Sequence, residues 1–467
     1  MRKGLDALAP RTRRAVWAVL AVVLVAVVAI AAVVIARDPS HDSASEPAAP
    51  AARPANPYEQ ARTLGVTLTL QAYTDALRAA DPTKALAQLD PSADAALRTQ
   101  TELSAAGVRD LPLTTFEYRL ADSRDFERRV PSRIQDTLDA AGSADSWVAP
   151  VQLRYAYAGI DPKVVVVDIP MVMAQYADGW RIVAEAAPLF GDAPAPGQVW
   201  QFPIPAAQKV VTGPGESLVL TNGSDRRFAD EIAGELPRAV TSVSRFWGTK
   251  WPQSVGVIAA DTDEEFRSIT GAGESDAEAA AAVTVFTEIE RPDGAAPTAI
   301  GQRVVFTPQA AQLDSGELGV VLRHEVFHVA ARAVTAENAA TWVTEGVAEY
   351  VGRSGTYTEL SQAAPALAQE VATSGPPADL PSDADFSPSN PDAAVSYQSA
   401  WSVAAFVAET FGPDKLRNFY VALAGADQPV DPALVVAAQD TASAVVLGIS
   451  REELVRQWRD WLSAQIR

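Results

Sequence analysis

Two histidines four residues apart, His324 and His328, constrain the fold of this chain more than any other feature. The sequence across them is His-Glu-Val-Phe-His, and the 467 residues contain only one further histidine, His41. Residues four apart share one face of an α-helix, so a helix here would direct both imidazoles toward a single ion. Neutral imidazole suits zinc, and Glu325 is placed to take a proton from a water molecule that the metal activates. The competing interpretation is a surface helix with two ordinary histidines.

The flanking sequence predicts that the motif lies on a helix. Residues 314–317, Asp-Ser-Gly-Glu, are typical of an N-cap followed by an acidic first turn. Leu322, Val326 and Val329 recur at helical spacing and form an apolar stripe on another side from the histidines. We therefore expect a core helix with one face turned toward a cleft.

A second motif, Trp-Val-Thr-Glu-Gly-Val-Ala-Glu-Tyr at residues 342–350, follows the histidine pair. This run resembles the second metal-binding helix of the gluzincin zinc peptidases, which include the aminopeptidase N family and the thermolysin group. The resemblance implies that Glu345 joins His324 and His328 as the third protein ligand of one zinc ion per chain, with water in the open position. It also implies that Glu349, one turn further on, holds the ring of His324.

Two later elements extend the resemblance, which covers roughly residues 210–467. A helix predicted at 395–411 resembles the gluzincin helix whose leading tyrosine faces the metal. This implies that Tyr397 donates a hydrogen bond to the oxyanion of the tetrahedral intermediate, and a tyrosine packed on the core is the alternative. Residues 302–306 are predicted to form a strand, either an edge strand that holds an extended peptide, as in gluzincins, or an ordinary sheet strand.

The activity that the resemblance implies is hydrolysis of peptide bonds in a peptide or protein substrate, with zinc as the cofactor. The sequence lacks the Gly-x-Met-Glu-Asn motif with which aminopeptidase relatives hold a free amino terminus, so an endopeptidase is slightly favoured. Two alternatives stay open: a zinc hydrolase of a non-peptide bond, and a non-catalytic cell-surface binding protein with a vestigial peptidase domain. The presence of Glu325 argues against the second alternative, because a protein without catalysis has no use for the base.

The N-terminal part of the chain predicts a membrane anchor and a stalk. Residues 15–36 carry no charge and are long enough, at about 1.5 Å per residue, to span a bilayer core as a helix. Because five basic residues precede them, the positive-inside rule puts the tail, 1–14, in the cytoplasm and the later domains outside, as a single-pass protein of the cell membrane. A cleaved signal peptide is the alternative. Residues 37–57, rich in Ala, Pro and Ser, are predicted to be a flexible linker.

The rest of the chain is predicted to be of the α+β class, with two domains. Residues 58–187 are expected to begin with a helix at 66–80 and to continue in strands, an order that resembles the cone-shaped fold of nuclear-transport-factor-like domains. This domain would be either a module that binds a protein partner or a spacer. A Pro-rich linker, 188–206, would connect it to a gluzincin-like peptidase domain, 207–467, with a mostly helical C-terminal part. The predicted strands of the first domain are Leu113–Leu120, Trp147–Tyr157, Val164–Gln175 and Trp180–Ala184.

Composition narrows the range of partners. Beyond Arg37 the chain contains 32 basic and 57 acidic residues, a net charge of −25, which argues against a nucleic-acid partner and against adhesion to anionic lipid. Contact with the membrane is therefore expected only through residues 15–36. The chain contains no cysteine, which excludes disulfides, thiolate ligands and a thiol nucleophile.

Overall fold

The computed structural model describes residues 56–465, apart from 122–127, 275–279, 358, 388–389, 426–428 and 430. The predicted basic tail and membrane anchor, and nearly all of the predicted linker, lie outside the described residues. Among the helices that are described, none is by itself long and apolar enough to cross a bilayer. One pair bent by 73°, Pro432–Leu447 with Arg451–Gln465, passes that test of length and composition together.

The N-terminal unit, residues 56–207 with 222–224, combines helices with two antiparallel sheets. The strands are ordered β1-β3-β4 in one sheet and β2-β5-β6 in the other. Its helices are α1 Pro57–Arg78, α2 Pro82–Leu86, α3 Ala95–Gly107 and α4 Ser132–Ala140. Its strands are β1 Leu113–Leu120, β2 Asp145–Ala149, β3 Val151–Tyr157, β4 Val165–Asp168, β5 Met171–Tyr176 and β6 Gly179–Glu185.

Two prolines distribute the strands of this unit between its sheets. Pro150 separates β2 from β3, and Pro170 lies between β4 and β5. Proline has no N–H to donate, so it interrupts the ladder of hydrogen bonds that a continuous strand would need. The prediction of single strands at 147–157 and 164–175 is therefore wrong, because each run forms two strands that belong to different sheets.

The core of the N-terminal unit includes a tryptophan from the segment predicted to be a Pro-rich linker. Trp200 is fully buried and meets Phe116 and Tyr155 edge to face, with ring centroids 5.4 and 5.2 Å apart. Such aromatic pairs add to the stability that burial alone provides. The mixed α+β character of this unit is confirmed, and its likeness to nuclear-transport-factor-like domains stays a prediction.

The C-terminal unit, residues 208–221 with 225–467, has a mixed sheet followed by a helical half. The sheet order is β10-β13-β9-β8-β7, in which β8, β9 and β13 are parallel and β10 is antiparallel to β13. Its strands are β7 Ala206–Thr212, β8 Gly215–Thr221, β9 Gly256–Ala259, β10 Ala282–Val285 and β13 Arg303–Phe306, with a separate pair β11 Glu288–Glu290 and β12 Thr298–Ile300. Its helices are α5 Arg227–Trp247, α6 Asp263–Thr270, α7 Ser315–Ala331, α8 Thr341–Arg353, α9 Leu360–Ala363, α10 Pro365–Ser374, α11 Ala393–Phe411, α12 Pro413–Ala424, α13 Pro432–Ala442 and α14 Arg451–Gln465.

The strand predicted at 302–306 lies inside the sheet, because β13 pairs with β10 on one side and with β9 on the other. The interpretation as an edge strand is therefore wrong, and the interpretation as an ordinary sheet strand is confirmed. Among the described residues, β10 occupies the edge position next to β13. The mostly helical character of the C-terminal part is confirmed.

Candidate metal centre

The helix that carries the histidine motif, α7, begins with a complete cap. The Asp314 carboxylate accepts hydrogen bonds from the N–H groups of Gly316 and Glu317, and Glu317 accepts one from the Asp314 N–H in return. The predicted N-cap and acidic first turn are thus confirmed. The helix continues without interruption past His324 and His328, whose ring centroids are 4.8 Å apart on one face.

The structure brings His324 and His328 together with Glu345 of α8, and their donor atoms all lie within 4.8 Å of one another. The two Nε2 atoms are 3.0 Å apart. Glu345 places Oε2 at 3.3 Å from His324 Nε2, and Oε1 at 3.5 Å from His328 Nε2. Neighbouring donors around a tetrahedral zinc ion, with bonds of about 2.0–2.1 Å, are about 3.3 Å apart. The spacing of the three side chains therefore fits a single zinc ion.

Hydrogen bonds within the described residues do not satisfy this cluster. Glu345 Oε2 is buried and has no hydrogen-bond partner, although it lies close to the ring of His324. Nδ1 of the same ring is also buried without a partner. Buried polar atoms are almost always paired, so an unpaired carboxylate oxygen that faces an imidazole indicates a ligand-binding atom. His328 keeps 20% of its side chain exposed, so the cluster lies next to solvent.

The cluster also carries excess negative charge. Its buried ionisable groups, other than imidazoles, have a combined charge of −2, from Glu325, Glu345, Glu349 and Arg353. Burial opposes a charge on His324, but the surrounding carboxylates outweigh it and raise the pKa of that imidazole above its ordinary value. Burial opposes ionisation of Glu345 as well, but the two histidines lower the pKa of its carboxyl below its ordinary value. A divalent cation would neutralise this charge. The charge and the donor spacing thus both favour a bound metal ion.

Glu349 lies between the first imidazole and a buried arginine. Its Oε1 is 3.7 Å from His324 Nδ1, slightly longer than a hydrogen bond, and its Oε2 accepts one from Arg353 Nε at 2.5 Å. Arg353 also donates to the carbonyl oxygen of Ala363 in α9. The predicted role of Glu349, holding the ring of His324, stays a prediction that this arrangement supports.

We expect Arg353→Leu to destabilise the helices that hold the cluster. The substitution leaves the Glu349 carboxylate buried and without its counter-charge, which costs about 3–5 kcal/mol in comparable cases. Hydrogen–deuterium exchange of the α8 amides reports the local free energy of opening and would measure this loss. The matched control is Arg456→Leu, because Arg456 pairs with Glu453 and Asp460 at the surface of α14. Equal protection of α8 in the two variants would contradict the expectation.

The general base predicted from the motif, Glu325, is held by a residue that the sequence did not indicate. Thr284 Oγ1 of β10 donates a hydrogen bond to Glu325 Oε2 at 2.6 Å and lies 3.3 Å from the Glu325 carbonyl oxygen. The two residues are 41 positions apart. The sequence signal for β10 is the short run of β-branched residues, Val283 to Val285, which indicates a strand but no chemistry.

Helix α8, which carries Glu345, approaches the backbones of α11 and α7 closely. A Cβ atom on Gly346 would lie 2.5 Å from the Ala400 carbonyl oxygen of α11, and one on Gly352 would lie 2.9 Å from the Val320 carbonyl oxygen of α7. Larger side chains at these two positions would force the helices apart. The residue next to Gly346 is Glu345, so the contact with α11 occurs directly beside the third donor.

Tyr397 lies on α11, one turn before Ala400. Its side chain is buried, and its ring meets Phe386 edge to face with centroids 5.0 Å apart. The contact between Ala400 and Gly346 brings this part of α11 to the helix that carries Glu345. The predicted hydrogen bond from Tyr397 to an oxyanion stays a prediction.

The chain has a weak structural likeness to solved zinc metallopeptidases. No protein-family model and no curated protein sequence matches the chain. The M1 zinc metallopeptidase from Deinococcus radiodurans matches with 13% identity and a TM-score of 0.34, over 68% of this chain and 62% of that chain. A point mutant of the M1 enzyme from that organism matches with 13% identity and a TM-score of 0.33, over 65% and 60%. A two-domain M1 mutant bound to L-tryptophan matches with 12% identity and a TM-score of 0.32, over 64% and 59%.

The chain thus spans about three-fifths of the length of the solved structures it matches. Matches with TM-scores this low carry no argument about function. Any functional proposal therefore depends on the geometry of the site. That geometry consists of two imidazoles and one carboxylate at zinc spacing, with a further carboxylate, Glu325, beside the first histidine.

Proposed function

We propose that this chain is a zinc-dependent peptidase of the gluzincin type, with His324, His328 and Glu345 as the ligands of one zinc ion. The spacing of their donor atoms carries this proposal, since three side chains from two helices converge as a tetrahedral site requires. The unpaired Glu345 oxygen supports it, as does the formal charge of −2 on the buried carboxylates and Arg353, imidazoles excluded. Two imidazoles with one carboxylate are a ligand set that catalytic zinc sites use.

Zinc, when bound, would polarise the carbonyl of the scissile peptide bond and lower the pKa of the attacking water. The residues of the chain would do the rest. Glu325 would accept the proton of the water and then transfer it to the leaving amine. Tyr397 would donate a hydrogen bond to the oxyanion. Glu349 would keep the ring of His324 in orientation, supported by Arg353.

We further propose that the enzyme is an endopeptidase anchored in the cell membrane through residues 15–36, with both units on the extracytoplasmic side. The uncharged run and the basic residues before it support the anchor and its orientation. The absence of a Gly-x-Met-Glu-Asn motif supports endopeptidase rather than aminopeptidase action. The unit at 56–207 remains a candidate for binding a protein partner.

A peptide-library assay tests the proposed function. Full-length protein would be treated with a chelator, reconstituted with zinc, and given a library in two forms, with free and with acetylated amino termini. We expect cleavage to disappear with the metal, to return when one zinc ion per chain is restored, and to occur inside acetylated peptides. Cleavage restricted to free amino termini would instead identify an aminopeptidase. A zinc-loaded protein that cleaves no peptide would support the non-catalytic binding protein or a hydrolase of another bond.

A further inference from the structure

A hydrogen bond joins Thr284, on the edge strand β10, to the proposed general base Glu325. The proposed mechanism gives this hydrogen bond no role. Thr284 is half-buried, and its hydroxyl lies 2.6 Å from Glu325 Oε2, a short hydrogen bond to a buried carboxylate. Oε2 has no other hydrogen-bond partner among the described residues, and Oε1 has none there at all. The two oxygens of the base are therefore in different environments.

The strand that carries this hydroxyl pairs with β13 and packs on the core. Thr284 pairs with Val304 in the antiparallel ladder between β10 and β13, and Val304 is fully buried in the core that α7 shares. Ala282, two residues earlier and on the same face of β10, belongs to the same core. The side chain of Thr284 therefore faces α7. Its β-branched form also restricts rotation at χ1.

We propose that Thr284 is a positioning residue for Glu325, an inference that rests on the proposed peptidase function. A threonine hydroxyl has one proton to donate, and here Oε2 accepts it. This fixes the orientation of a carboxylate at the end of a flexible side chain and leaves Oε1 to accept the proton of the attacking water. Proton transfer needs a donor and an acceptor within hydrogen-bond reach, so an unfixed carboxylate would be correctly placed for less of the time.

Substitution of the hydroxyl separates this role from simple packing. Thr284→Val keeps the shape of the side chain and removes the donor, and we expect kcat to fall about 10- to 100-fold with little change in KM. Thr284→Ser keeps the donor and should restore most of the activity. The matched control is Thr287→Val, because Thr287 follows β10 and is exposed. Zinc content should equal that of the wild type in all three variants.

A double-mutant cycle with Glu325→Gln makes the test specific. If Thr284 acts through the base, Thr284→Val should change the residual rate less than about twofold once Glu325 is Gln. A full loss in that background, or an unchanged kcat in Thr284→Val alone, would overturn the proposal. So would a Thr284→Ser variant as slow as Thr284→Val.

Crystal structures of the zinc-loaded wild type and Thr284→Val supply a readout that does not depend on turnover. We expect the Glu325 carboxylate to be ordered in the wild type, and rotated or spread over several orientations in the variant. An unchanged carboxylate would overturn the positioning role. If the wild type cleaves no peptide, the peptidase proposal fails, while the orientation of Glu325 still decides whether Thr284 positions it.

Discussion

Glu325→Gln should lower the rate of turnover about 10²- to 10⁴-fold and leave the zinc ion in place. Glutamine has nearly the shape of glutamate and can still accept the hydrogen bond from Thr284, but it has no basic oxygen to take up a proton. General-base catalysis contributes about 10²- to 10⁴-fold to the rate, and we expect kcat to fall by that factor. The measurement is kcat on a cleaved peptide, together with zinc content per chain by mass spectrometry.

The control for this substitution is Glu317→Gln, on the same helix at the N-terminal cap. Glutamine serves at that position of a capping box as glutamate does, so activity and zinc content should both stay near those of the wild type. If Glu325→Gln kept the full rate, Glu325 would not be the base. If it lost its zinc, the carboxylate would contribute to metal binding and the ligand set would need revision.

Glu345→Ala should weaken zinc binding by at least about 100-fold, because even outer partners of zinc ligands contribute 10- to 100-fold to affinity. The substitution removes one of the three proposed donor side chains. It also removes the only negative charge in the ligand set, which would partly neutralise the zinc dication. Competition with a chromophoric chelator of known affinity would measure the change. The matched control is Glu337→Ala, an exposed glutamate in the connection between α7 and α8, which should bind zinc as the wild type does. Full zinc occupancy of Glu345→Ala against the chelator would contradict the proposed ligand set.

The sequence predicts those parts of the site that depend on helical spacing. His324 and His328 are four residues apart on α7, and Glu345 and Glu349 are four residues apart on α8. Because residues at this interval lie on one face of a helix, each pair shares a face of its own helix. Arg353, four residues after Glu349, could have been recognised as its partner by the same rule. Thr284 could not, because its contact with Glu325 depends on how a strand 41 positions away in the chain packs against α7.

In the fold, too, features that depend on neighbouring residues could be predicted, whereas features that depend on packing between distant segments could not. The capped starts of helices follow from local residues, and α1 begins at Pro57 behind the N-cap Asn56, earlier than the predicted start at Val66. The apolar repeat is weak in the first turns of α1, so the prediction began where the repeat becomes clear. The break in each predicted strand could have been recognised at Pro150 and Pro170, because proline has no N–H to donate to the ladder. Which sheet each half then joins could not be predicted, because a run of β-favouring residues carries no information about that choice.

The spacing between α8 and α11 depends on backbone atoms, because the Cα of Gly346 meets the carbonyl oxygen of Ala400 with no side chain between them. This contact keeps Glu345 close to the turn of α11 that carries Tyr397. A redesign of the proposed peptidase would therefore have to keep this contact. At residue 346 the packing admits only glycine, because a Cβ atom there would lie 2.5 Å from the Ala400 carbonyl oxygen.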